Sequence, residues 1–103
     1  PLFYYHDGED LLFASEIKTI LANEIYTPRI DDEGLCELFF MSPGRTCSNG
    51  VFKGIKELLP GECAFYINGN LKRMRYFSLK AHEHEDNLPQ TIEKTRFLIK
   101  EFI

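Results

Sequence analysis

The sequence predicts a mixed α+β fold of antiparallel hairpins joined by short helices, ending in one longer amphipathic helix. Three observations carry that prediction. Asp7-Gly8 separates the apolar runs Leu2–Tyr5 and Leu11–Ala14, and Asn68-Gly69 separates Cys63–Ile67 from Leu71–Leu79. Asx-Gly pairs accept positive φ and are the strongest short-range hairpin signal. The third observation is the spacing of Leu88, Ile92, Thr95, Ile99 and Phe102, four and three residues apart, behind a capping Asn87. That is the period of a one-sided helix.

Each element can be read in order. After the first hairpin, Ser15 stands where an N-cap is expected, Glu16 favours the positive end of the next helix, and Ile17, Ile20 and Leu21 give it an apolar face to about Asn23. Pro28 interrupts, and Asp31 or Asp32 caps a second short helix whose face is Leu35, Leu38 and Phe39. Ser42-Pro43-Gly44 ends it and residues 45–50 form a polar loop. Ile55, Leu58 and Leu59 read as a helical turn running into a β-turn at Pro60-Gly61. Residues 80–87, KAHEHEDN, have one apolar member and read as a solvated linker to the last helix.

Composition narrows the classes of function. At 103 residues and 44% hydrophobic the chain can bury a core. The net charge is −4 and the basic residues are dispersed apart from Lys72, Arg73 and Arg75, which argues against a nucleic-acid partner. Three cysteines without C-x-x-C spacing suit reduced thiols rather than a disulfide framework, so a cytoplasmic setting is expected. No apolar run approaches the roughly 20 residues that span a bilayer, so no membrane role is expected. The chain opens in a strand-forming run and closes in a helical one, so both ends read as cut.

Several groups invite chemical readings and have simpler ones. Ser15, Glu16 and Lys18 place hydroxyl, carboxylate and amine together, but a helix start explains them. His82 and His84 alternate along the linker and could share one side, yet no further ligand is specified, and no metal site is expected. Lys72, Arg73 and Arg75 fit an exposed hairpin edge whose charge discourages edge pairing. Cys36, between Leu35 and Leu38, reads as a small core residue.

PLFYY at 1–5 and FASEIKTI at 13–20, followed by Val51, Phe52, Gly54, Ile55, Leu58, Pro60 and Gly61 and then Tyr76, Phe77 and Leu79, resemble the glutamine-hydrolysing asparagine synthetases. The order and spacing both fit. Val51, Glu62 and Phe77 stand where that family often has Thr, His and Trp. The resemblance implies that residues 1–79 are the C-terminal part of an N-terminal-nucleophile glutaminase domain of αββα sandwich type. It further implies that 80–87 are the linker and 88–103 the first helix of the synthetase domain.

The parent activity implied is transfer of glutamine amide nitrogen to aspartate with ATP and magnesium. Neither active site is expected in this chain: the family's nucleophile is an N-terminal Cys whose own amine is the base, and its pyrophosphate loop is an S-G-G-x-D-S segment. Neither occurs here. No catalytic or cofactor-binding residue is therefore assigned. In the resembling enzymes the strand-to-helix corner faces the synthetase domain, which makes Ile17 a candidate for the interface or for the apolar lining of an ammonia path. The implied partner is the rest of the parent enzyme, with self-association of the isolated chain over its uncovered sheet face. Alternatives are a free-standing interaction module using the Ile92, Ile99 and Phe102 face, or a related enzyme that closes β-lactam rings or amidates another acceptor.

Overall fold

A computed structural model describes all 103 residues. β1 (Phe3–His6) and β2 (Leu11–Ala14) form the first hairpin, with Phe3 opposite Ala14 and His6 opposite Leu11. Its loop is four residues rather than a two-residue turn. The Asp7 carboxylate accepts from the backbone N–H groups of Glu9 (3.0 Å) and Asp10 (2.9 Å), and Gly8 takes φ of 107°. Those donors hold the Asp7 carboxyl below its ordinary value.

α1 (Ile17–Leu21) follows directly. Its N-cap is Glu16, one residue later than expected, and no side chain bonds its first turn; the Ser15 hydroxyl does not cap it. The helix buries only Ile20, and five residues give it too little length to persist without that packing.

Asp31 caps α2 (Asp32–Cys36), its carboxylate accepting from the Gly34 N–H at 3.1 Å. A π-helical turn, Glu37–Met41, then continues the rod. Gly34 and Glu37 are the buried positions, whereas Leu35, Leu38 and Phe39 are exposed. Cys36 is exposed as well, correcting its assignment to the core. The reason is steric: the helix approaches the 45–54 loop so closely that only Gly34 fits beneath the Val51 carbonyl, where a Cβ would lie 2.0 Å from the oxygen.

The largest departure from expectation is at Ile55–Glu57. These residues form β3, antiparallel to β1, with Ile55 opposite Tyr5 and Glu57 opposite Phe3. The apolar residues Ile55, Leu58 and Leu59 are too few to distinguish a helical from an extended period, and the free edge of β1 decides between them by supplying backbone partners. Gly54, at φ of 79°, turns the chain into that edge. The Pro60-Gly61 turn is as expected: the Glu62 N–H donates to the Leu59 carbonyl at 2.9 Å with Gly61 at φ of 77°.

β4 (Glu62–Ile67) and β5 (Asn70–Arg75) make the second hairpin. Asn68 and Gly69 both have positive φ (49° and 79°), the two-residue turn whose twist matches its strands. β5 stops at Arg75, short of Leu79. The sheets are thus three strands in the order β2-β1-β3 and, separately, two strands β4-β5.

Residues 76–87 are irregular, and α3 (Leu88–Glu101) begins with a complete capping box. Asn87 and Gln90 exchange side-chain-to-backbone bonds, each 3.0 Å. No α3 residue is buried. The core instead gathers Phe3, Ile20, Tyr26 and Ile55, with Ile17, Leu12, Leu21 and Phe52 packed around them. Tyr26 meets Tyr5 edge-on at 4.8 Å, and its hydroxyl donates to the Lys53 carbonyl at 2.8 Å.

Candidate functional site

The strand-to-helix corner that the sequence singles out is present and anchored. Ile17 opens α1 and is half-buried against the core, so one side of it is packed and the other accessible. Glu16 and Lys18 pair with each other at the surface, both well exposed. An exposed pair of this kind contributes little. The only pairing among the Ser15, Glu16 and Lys18 side chains is this one, and it does not include the Ser15 hydroxyl.

The best-organised polar cluster lies elsewhere, where the 42–54 loop closes over β3. Arg45 sits 4.8 Å above the Phe3 ring, and its Nη1 reaches the Glu57 carboxylate at 2.8 Å and the Asn49 carbonyl at 2.6 Å. Glu37 accepts from the Thr46 backbone N–H at 2.8 Å. The Thr46 hydroxyl and then this backbone donor hold the Glu37 carboxyl below its ordinary value, with the Arg45 charge assisting. Loop strain concentrates at Ser48 and Val51, non-glycine residues with φ of 74° and 68°. Asn49 steadies the second by accepting the Val51 N–H at 2.7 Å. The sequence offers no signal for this cluster, since Arg45 and Thr46 read only as loop residues. Chemically it is a brace, because each charged group already has its partner.

The remaining sequence candidates are dispersed. Arg73 and Arg75 approach the Glu62 carboxylate at 3.9 and 3.8 Å. His82 and His84 lie in the exposed irregular segment, and no three or more His, Cys, Asp and Glu side chains converge anywhere. No helix is long and apolar enough to cross a membrane. The largest feature between the two sheets is an apolar cleft of about 480 Å³, walled by Leu2, Tyr4, Leu11 and Phe13 on one side and Cys63, Ala64, Tyr66 and Leu71 on the other.

Residues 1–77, from β1 through the end of the second hairpin, match the glutamine amidotransferase domain. The chain belongs to that family. The amidotransferase match stops where the irregular segment begins, ahead of α3. Over all 103 residues the chain is also 37% identical to "Asparagine synthetase [glutamine-hydrolyzing] 3" of Bacillus subtilis (strain 168). It covers 17% of that protein's length. The α+β architecture of antiparallel strands and short helices is consistent with a glutaminase-type fold.

Proposed function

We propose that this chain is the part of an ATP-dependent, glutamine-hydrolysing asparagine synthetase that links the nitrogen-releasing domain to the synthetase domain. Residues 1–79 complete the glutaminase domain, 80–87 are the linker and 88–103 open the synthetase domain. Glutamine supplies the nitrogen, aspartate receives it, and ATP with magnesium drives the transfer at sites outside these residues, in the cytoplasm. The observation that carries this reading is the similarity over all 103 residues, from the amidotransferase part through α3, to one asparagine synthetase. The capped but wholly uncovered α3 supports it, because a one-sided helix with no buried residue needs a neighbour.

The test is a transplant. The 103 residues replace their aligned counterpart in the Bacillus enzyme, and asparagine formation is followed with glutamine and, separately, with ammonia. Retained synthesis from both nitrogen sources is the expected result, while the chain alone hydrolyses neither glutamine nor ATP. A folded chimera inactive with both sources would overturn the reading and favour a free-standing interaction module. Activity on a different acceptor would favour a β-lactam-forming or other amide-transferring relative. In the same chimera Ile17→Ala should lower glutamine-driven synthesis more than ammonia-driven synthesis; equal loss would leave Ile17 a packing residue only.

A further inference from the structure

The cleft between the two sheets is tied at both ends. At its base the chain passes from β3 to β4 through the Leu58–Gly61 turn, with the Leu58 N–H donating to the Leu2 carbonyl at 2.9 Å. From there β4 runs six residues, about 20 Å, to the opposite end. At that end the two hairpin loops meet. The Tyr66 hydroxyl donates to the Glu9 carbonyl at 3.0 Å, and His6 Nε2 lies 3.1 Å from the Gly69 carbonyl. The His6 and Tyr66 rings stand edge-on, 5.6 Å apart. A Cβ on Gly69 would come 3.7 Å from the Gly8 carbonyl, so the loops are in contact.

We infer that His6 and Tyr66 form a clasp that holds the β4-β5 hairpin against the first hairpin and thereby sets the width of the apolar cleft. The two sheets share no ladder hydrogen bond, so the side chains at the tip hold what the backbone does not. Both clasp residues sit at least partly in solvent, where a lost bond is replaced by water, so the clasp opens without disturbing the Phe3, Ile20, Tyr26 and Ile55 core. The geometry also assigns a tautomer. A carbonyl can only accept, so His6 must carry a proton on Nε2.

Leu71→Cys, half-buried in the cleft wall on the same strand face as Tyr66, reports the opening, and the native Cys36, Cys47 and Cys63, the last on the opposite face beside Met74, serve as internal standards. Thiol labelling by an aromatic disulfide reagent, resolved by site with mass spectrometry, is compared in the Leu71→Cys chain and its further variants. Tyr66→Phe and His6→Phe each keep a ring and remove one bond. Each should raise the labelling rate at position 71 roughly 2- to 12-fold, the factor one net hydrogen bond represents, leaving the three native cysteines unchanged. Tyr26→Phe removes a hydrogen bond from the core instead and should leave position 71 alone. An unchanged rate at position 71 in both clasp variants, or an equal rise in Tyr26→Phe, would overturn the clasp. So would an Nδ1–H tautomer of His6 in proton–nitrogen NMR of the unaltered protein, a measurement that does not depend on any variant folding.

Discussion

Ile20 is the residue on which the core depends most, and its truncation gives the sharpest test of how this chain holds together. It is 2% exposed and the only large side chain fully enclosed, contacting a cluster whose other buried members are Phe3, Tyr26 and Ile55. Ile20→Ala removes the buried aliphatic branch and leaves a cavity, which costs about 2–5 kcal/mol; Ile20→Val, which removes one methyl, costs about 0.5–1.5 kcal/mol. A 103-residue domain ordinarily has about 5–15 kcal/mol, and a core this small places the chain near the lower end. Ile20→Ala should therefore consume most of the stability, and Ile20→Val only a fraction. In urea, with a slope of about 1.5 kcal/mol per molar, a loss near 4 kcal/mol moves the midpoint down by more than 2 M. Far-ultraviolet circular dichroism across a urea series reads this directly. A shift below about 0.5 M for Ile20→Ala would refute the reasoning, because stability would then reside outside this cluster. Repeating the series at several protein concentrations identifies the alternative, since association raises the midpoint with concentration.

Three further outcomes are expected. Gly34→Ala should lower the melting temperature although alanine favours helix, because its Cβ meets the Val51 carbonyl; the net loss is about 1–3 kcal/mol. Arg45→Lys should cost about 1–2 kcal/mol in urea unfolding, since an ammonium cannot match the guanidinium's reach to Glu57 and Asn49 while lying over Phe3. Because the folded Glu37 carboxyl titrates below its ordinary value of 4.5, its contribution is whole above that pH and is lost as pH falls through the folded value. Stability measured down an acid series should accordingly decline less steeply in Glu37→Gln than in the unaltered chain.

What the sequence made legible was whatever local chemistry decides. Asn68-Gly69 needs positive φ at both positions and Asn87 with Gln90 completes a reciprocal cap, so both features follow from a few adjacent residues. Ile55–Glu57 was illegible because three residues carry no period, and the free edge of β1 that recruits them lies some fifty residues away. Ser15 gave a false cap because the helix begins one residue later, with Glu16 in the extended N-cap conformation and no side chain bonding the first turn. Cys36 was misjudged for a related reason: apolar neighbours in sequence mean burial only when something packs on them. The Arg45 brace left no trace, since the partners of Arg45, the Phe3 ring and Glu57, lie on β1 and β3, well separated along the chain.

The mismatch between composition and burial has a size, and the size bears on function. A folded monomer of 12.0 kDa exposes about 6,000 Å², whereas this chain exposes 8616 Å². Its radius of gyration is 18.9 Å against about 13 Å for a compact domain of this length. The excess of roughly 2,600 Å² exceeds the 800 Å² or so that each partner contributes to an ordinary protein interface. Exposed apolar side chains contribute to it: Phe13 and Phe65 on the sheets, Phe39 and Phe40 on the π-helical turn, Ile92 and Ile99 on α3, and Phe102 just after it. These patches belong to different elements, so one small partner cannot cover them together. A larger body that encloses the sheets and α3 can do so, as the proposed synthetase would. In its absence association between copies is the expected response. Sedimentation velocity distinguishes the two states: reversible self-association that disappears in the Bacillus chimera fits this account, and a monomer that stays monomeric at high concentration would contradict it.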